Sequence, residues 1–371
     1  MPTAPERSVR VSTLELFFDL VFVFTITQLT GVLVDGGDPA AFVQVVVMLL
    51  LIWWTYDAYA WLTNAIATDR PKFRLLLIGG MAGFLVIALA VPDAYDGGGL
   101  AFGLGYLVVV SLHAGMFVSG TSTSEVRGIL RILPFSSAGV SLVLVGGALG
   151  GDAQWALWGL AVALLWATPR LATIEGFVVS VEHFVERHGL VVIIALGESI
   201  VVIGAGAAGL PVDGGLVLVA LLSLSLSAAL WWVYFSDEQT VGRAFRDAPA
   251  ERRPALAING FGYWHYGILL GVVTLAAGLK EAIGHPYDPL DGWIAVGLAA
   301  GTALFVLSEI GFRRTFGIAR NRVRLLAAAA VLATIPLGTE WAAAAQVGAI
   351  AALVVAALFA EWRLPSVLGD G

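Results

Sequence analysis

The chain contains no cysteine. That absence removes disulfides, thiolate metal sites, cysteine nucleophiles and covalent c-type haem attachment together. Charge is scarce as well. Asp, Glu, Lys and Arg make up 13% of the 371 residues, whereas an ordinary soluble domain carries about 25%. Only two of the 20 basic residues are lysines, Lys72 and Lys280. No basic tail or patch points to nucleic acid. No G-x-S-x-G or H-E-x-x-H motif supplies a hydrolytic nucleophile or a zinc site. The formal charge of −7 says little about partners, because the two signs sort by position along the chain.

What the chain has is apolar length. Its mean hydropathy is +0.89. Cutting it into runs of about 20 residues, the length that spans a ~30 Å hydrocarbon core, gives twelve segments. They lie near 12–34, 40–63, 73–92, 99–119, 129–149, 154–172, 184–208, 212–236, 257–279, 291–313, 321–338 and 341–360. Nineteen of the twenty Lys and Arg fall before the first run, after the last, or in alternate gaps and the run ends that border them; Lys280 alone lies in the other set. The opposite gaps hold Asp35, Asp38, Asp93, Asp96, Asp152, Asp213, Asp288, Asp291 and Glu340. Short cytoplasmic loops collect Lys and Arg, so both termini are expected in the cytosol. The fold class is all-α: one polytopic membrane domain over 1–371, with the lipid bilayer as its partner. Glu15 and Asp19 inside the first run, its length, and the lack of a small-x-small cleavage site favour a retained helix over a signal peptide. Abundant Ala, Gly, Val and Arg with two Lys suit a GC-rich bacterium, hence the bacterial plasma membrane.

Two halves of six runs are suggested, residues 1–172 and 184–371. "ELFFDLVFVFTITQ" from Glu15 aligns with "ERHGLVVIIALGES" from Glu186. Trp53, Trp54 and Tyr56 align with Trp231, Trp232 and Tyr234, and Arg127 and Arg131 with Arg320 and Arg324. Parallel repeats of this kind place sites at the repeat interface. "GILLG" at Gly267–Gly271 and "GLAAG" at Gly297–Gly301 are G-x-x-x-G patterns that let helix backbones approach. "GAGAAG" at Gly204–Gly209 matches the dinucleotide-binding pattern but closes an apolar helix with no preceding strand, so it is set aside.

An ionisable side chain within a span costs several kcal/mol and usually faces a cavity or a partner. Glu198 lies midway along the seventh run, in "LGES", too deep to reach water. It either sits on a polar path, with Ser199 as a co-ligand, or is a neutral acid bonded to a neighbouring helix. Glu15 and Asp19 are four apart, hence on one helix face. They share a proton, bind a cation, or pair with Arg10 or Arg187. "HFVERHG" places His183 and Glu186 on one face beside Arg187 and His188. It is a proton-exchange cluster, since histidine titrates near neutrality, or a solvated turn. His265, within "YWHYG", lines an aromatic cavity or packs with one hydrogen bond. His113 and Asp57 are also expected to be deep. Glu309 and Arg313, four apart, are expected to form an intrahelical salt bridge. The paired tryptophans read as interface belt, and Ser223 and Ser227 as bonding back to helix carbonyls.

"LELFFDLVFVFTITQL" together with "HFVERHGLVVIIALGES" resembles the bacterial low temperature requirement protein A (LtrA) family. The resemblance covers nearly the whole chain and rests on Glu15, Asp19, His183, Glu186, Arg187, Gly197 and Glu198. It implies a multi-pass plasma-membrane protein associated with growth in the cold, in a family whose molecular activity is not established. The "FFD" of the first run is also similar to the "FSD" of a two-times-six potassium-channel family, but phenylalanine replaces serine, which takes away support for a shared filter.

The leading expectation is a secondary transporter or channel, not an enzyme, for a cation or a proton-coupled small solute. No cofactor or metal is expected. The alternatives are an intramembrane lipid-modifying enzyme and a non-catalytic membrane protein supporting growth in the cold. Substrate, direction and oligomeric state stay open at this level.

Overall fold

A computed structural model describes residues 11–66, 68–172 and 176–363. All regular structure among them is helical. The long helices are α1 (Thr13–Gly36), α2 (Pro39–Ala65), α3 (Pro71–Ala90), α4 (Gly99–Gly120), α5 (Thr123–Leu149), α6 (Gly151–Leu171), α7 (Val181–Gly206) and α8 (Gly214–Phe235). A shorter α9 (Glu238–Asp247) and α10 (Arg253–Ala257) follow. Then come α11 (His265–Gly284), α12 (Gly292–Thr315), α13 (Arg322–Leu332) and α14 (Ala343–Arg363). Every one of the twelve apolar runs has its helix. Among the described residues, eleven helical segments are long and apolar enough to cross a bilayer. The twelfth, α6, has spanning length, but Gln154, Pro169 and three tryptophans dilute its hydropathy.

In one place the sequence leads to a loop and the structure has a helix. Residues between the eighth and ninth runs form α9, which buries Val241 and Phe245 and exposes Arg243 and Arg246. A ten-residue amphipathic helix is too polar for a spanning window to register. Helical structure then resumes at Ala250, ahead of the expected start at 257, and passes through a π-helical turn at Ile258–Trp264 into α11.

The chain forms two compact units. Among the described residues, the first comprises 11–32, 39–66, 68–172, 176–194 and 242–262, the second 33–38, 195–241 and 263–363. In the first, α3, α4, α5 and α6 pack in consecutive antiparallel pairs, and α2 packs against α4 and α6. In the second, α11, α12, α13 and α14 pack in sequence, and α8 lies against α14, α11 and α12. The G-x-x-x-G reading holds there. A Cβ on Gly271 would sit 2.7 Å from the Gly301 carbonyl oxygen, and one on Gly301 would sit 2.7 Å from the Leu275 nitrogen. Only glycine admits that crossing of α11 and α12.

The tryptophans divide. Trp231 and Trp232 are exposed on α8, as a belt requires, whereas Trp53 is fully buried. Its Nε1 donates to the Gly262 carbonyl at 2.7 Å. An indole with its one donor satisfied is core material, so the belt reading fails for Trp53.

Candidate functional site

The start of α1 determines where Glu15 points. Ser12 and Glu15 form a reciprocal capping box: the Ser12 amide donates to Glu15 Oε2 at 2.8 Å, and the Glu15 amide donates to Ser12 Oγ at 3.3 Å. The S-x-x-E spacing is a sequence-level signal for such a box. One carboxylate oxygen is thus held on the cap, and Oε1 is turned into the bundle. The start of α7 is fixed from α2. Asn64 Nδ2 donates to the Ser180 carbonyl and the Ser180 amide donates back to Asn64 Oδ1, both at 3.1 Å.

Those two anchors bring His183 and Arg187, one turn apart on α7, against Glu15 and Asp19, one turn apart on α1. Glu15 Oε1 accepts from Arg187 Nη1 at 2.8 Å and from His183 Nε2 at 2.9 Å. Arg187 Nη2 donates to Asp19 Oδ1 at 3.1 Å, and Nη1 also donates to Thr63 Oγ1 at 3.1 Å. The Tyr56 hydroxyl donates to the same Asp19 oxygen at 2.6 Å. Arg187 lies over the rings of Phe18 and Tyr56, 5.7 and 5.6 Å from their centres. All five titratable members are buried, Asp19 and Tyr56 completely. Glu186 is half-buried and accepts from the Val11 amide at 3.2 Å, apart from this cluster.

The charge of the cluster is uneven. Two carboxylates face one guanidinium. His183 Nε2 must carry a hydrogen, because the Glu15 carboxylate only accepts. Its Nδ1 is buried and has no hydrogen-bond partner among the described residues, as is Asp19 Oδ2. With His183 neutral and both acids ionised, the cluster holds one uncompensated negative charge in a low-dielectric setting. Such a charge is very costly unless a proton or a cation neutralises it. Both orphaned atoms are places where a proton can go.

A second pair lies beside it. His188 Nδ1 faces the Phe184 carbonyl at 2.8 Å and Nε2 faces Asp57 Oδ1 at 3.0 Å. The carbonyl only accepts, so Nδ1 carries a hydrogen. The Nε2 contact then needs a further proton, on the ring or on the acid. Asp57 also lines a cavity of about 120 Å³ between α2, α4, α5 and α6.

The remaining sequence candidates lie in the second unit. Glu198 and Ser199 are both buried, on the later part of α7. His265 Nε2 is 2.7 Å from the Tyr234 hydroxyl, and Phe312 packs edge-on to its ring at 5.0 Å. Ser227 Oγ bonds back to the Ser223 carbonyl as expected. The Glu309–Arg313 salt bridge is a correction. Glu309 pairs with Arg324 of α13, while Arg313 pairs with Asp237 at 3.1 Å and Glu361 at 3.6 Å. Cross-helix partners override the local i, i+4 preference. Arg324 also grips both Glu361 oxygens through Nε at 3.0 and 3.1 Å, the Val233 carbonyl, Ser236 and Asp237.

Sequence reasoning misses Tyr56 and Thr63 as members of the first cluster, and the joining of Asp57 to His188. Those partners lie 37 to 131 residues away from the side chains they contact, and nothing local marks them. The S-x-x-E box at Ser12 is a signal that could have been used. Among the described residues, no group of three His, Asp or Glu side chains is arranged to hold a metal ion.

Two comparisons bear on this arrangement. Residues 10–360 match the family model of the bacterial low temperature requirement A protein (LtrA). An uncharacterised protein of Rhizobium meliloti (strain 1021) is 29% identical over 317 residues, covering 81% of this chain and 76% of that protein. The segment matched by the family model contains the whole Glu15–Asp19–His183–Arg187 cluster. The chain is a multi-pass membrane protein and belongs to the bacterial low temperature requirement A family.

Proposed function

We propose that the chain is a secondary transporter or channel for a cation or a proton-coupled small solute. In this reading the Glu15–Asp19–Arg187–His183 cluster is its proton- or cation-carrying group. The observation that carries the reading is the excess of one buried carboxylate over the single guanidinium. A fully buried group of fixed charge would be balanced, having no solvent to absorb a surplus; a carrier needs a state to which something is added. Asp19 Oδ2 and His183 Nδ1 are where the addition occurs. Glu198, in the second unit, is assigned as a further functional acid, because a buried acid within a span is a functional group by default. No covalent chemistry is asked of the protein. Both termini lie on the cytosolic side, in keeping with the sorting of Arg and Lys.

The test is flux in proteoliposomes that enclose a pH-sensitive dye, with imposed Na⁺, K⁺ or proton gradients. The wild-type chain is expected to dissipate a gradient faster than empty vesicles. Asp19→Asn keeps the shape, balances the charge and should slow flux at least tenfold; Glu198→Gln should slow it or remove its pH dependence. Wild-type flux equal to that of empty vesicles, or a fully active Asp19→Asn chain, would sink the reading.

A further inference from the structure

The cavity in the first unit is apolar in area but selective in its polar groups. Trp54, Trp61, Tyr59 and Phe177 supply aromatic walls, and Asp57 is the one charged side chain on them. The other polar groups are mostly committed as donors already. Thr55 Oγ1 donates to the Ile52 carbonyl at 2.8 Å, and Thr168 Oγ1 to the Leu164 carbonyl at 3.0 Å. Tyr59 donates to the Val109 carbonyl at 2.9 Å, and His113 Nε2 faces the Ala58 carbonyl at 3.0 Å, so its Nδ1 is the bare nitrogen. What these groups have left is lone pairs. Pro169, a lining residue, has no N–H, which leaves the Leu165 carbonyl without its usual helical donor. The Tyr106 hydroxyl, on the same lining, is buried with no partner among the described residues. A wall with one carboxylate, surplus acceptors and aromatic faces recognises a donor-rich cation.

We propose that this cavity binds a small hydrophobic ammonium ion, its charged nitrogen against Asp57 and its hydrocarbon body between Trp54, Trp61 and Tyr59. Aromatic faces attract a desolvated cation as well as covering apolar surface. A volume of about 120 Å³ is close to the ~150 Å³ of an engineered cavity that takes benzene, so the body is about one six-membered ring. The charge has somewhere to enter. His188 Nε2 lies 3.0 Å from Asp57 Oδ1, which leaves the second Asp57 oxygen for the ammonium. The titratable groups facing the site are Asp57 and Tyr59 on α2, Tyr106 and His113 on α4, and His188 behind Asp57; α5, α6, Phe177 and Ile258 present none. Binding here stands whether or not the chain moves its ligand.

The experiment uses the full chain in lipid nanodiscs, with benzylammonium and its neutral analogue benzyl alcohol, read by calorimetry and by tryptophan fluorescence. Benzylammonium is expected to bind at least tenfold more tightly than benzyl alcohol. Asp57→Asn should erase the difference while leaving the alcohol's affinity in place. Val110→Trp, which fills the cavity and leaves the Asp57–His188 pair intact, should abolish both, and it decides the matter if Asp57→Asn does not fold. Equal affinity for the two compounds, no binding of either, or binding that survives Val110→Trp overturns the proposal.

Discussion

The two units each bury a network of carboxylates around arginine, and the networks are built to different ends. In the second unit, Arg324 uses every guanidinium nitrogen, gripping Glu309, Glu361, Asp237, Ser236 and the Val233 carbonyl. Three acids there face two arginines, but the Asp237 and Glu361 side chains are 23% and 22% exposed. Water therefore absorbs the surplus charge. In the first unit, Arg187 has Nε without a partner among the described residues, and its two acids are almost wholly buried. Its surplus charge has no such outlet. One network is saturated and exposed at its edge, as a clamp should be. The other is enclosed and has two carboxylates to one guanidinium.

The largest expected effect breaks that comparison directly. Arg324→Gln leaves Glu309 buried without its cation, a loss of about 3–5 kcal/mol for a pair of this kind. It should show as a lower midpoint of denaturant or thermal unfolding in detergent. Adding Glu309→Gln should recover most of the loss, because a clamp is dispensable once both charges are gone. The matched double change in the first unit, Arg187→Gln with Asp19→Asn, should also recover stability, yet leave flux absent. If the first-unit double variant retains flux, the two networks do the same work and the distinction fails.

A middle-sized effect concerns how the second unit is held apart from its charges. Gly301→Val places methyl groups against the Leu275 backbone at the α11–α12 crossing. Overpacking of this sort costs about 1–3 kcal/mol. The unfolding midpoint should fall, whereas Gly197→Ala on α7, where a Cβ meets nothing within 4 Å, should leave it unchanged or slightly raised. A tolerant Gly301 would mean that the clamp, not the crossing, organises that unit.

Much of the fold is legible in the sequence. Spans follow from apolar run length, since a bilayer imposes one scale on all of them; hence each run has its helix. Glu15 and Asp19 are readable as one face because of their i, i+4 spacing, with Arg10 and Arg187 both open as partners; Arg187 takes that place, and Arg10 lies outside the described residues. Three things are not legible. The amphipathic α9 is too short and charged for a spanning window. Trp53 and Trp231 align in sequence, yet one is core and the other exposed on α8, because composition does not reveal which face a helix turns inward. Glu309 and Arg313 obey the local pairing rule in sequence and break it in space, since α13 delivers a better cation. The aligned arginines differ in the same way: Arg131 is exposed and Arg324 buried. Partner choice across helices depends on tertiary geometry that no window of sequence holds.

The smallest effect sharpens the comparison within the first unit. Ser12 and Ser122 cap α1 and α5 with the same S-x-x-E box, and Glu125 Oε2 accepts from the Ser122 amide at 3.0 Å much as Glu15 does from Ser12. Replacing either serine by alanine should cost about 1 kcal/mol, the usual worth of an N-cap. The two differ in what the glutamate does with its other oxygen. Glu125 Oε1 has no partner among the described residues, so Ser122→Ala should affect stability alone. Glu15 Oε1 holds Arg187 and His183, so Ser12→Ala frees the carboxylate to turn and disturbs the cluster from its edge. Flux in Ser12→Ala vesicles should fall severalfold and its pH profile should shift, with Ser122→Ala matching the wild type. Identical profiles in the two variants would show that the cap of α1 holds its helix and nothing more.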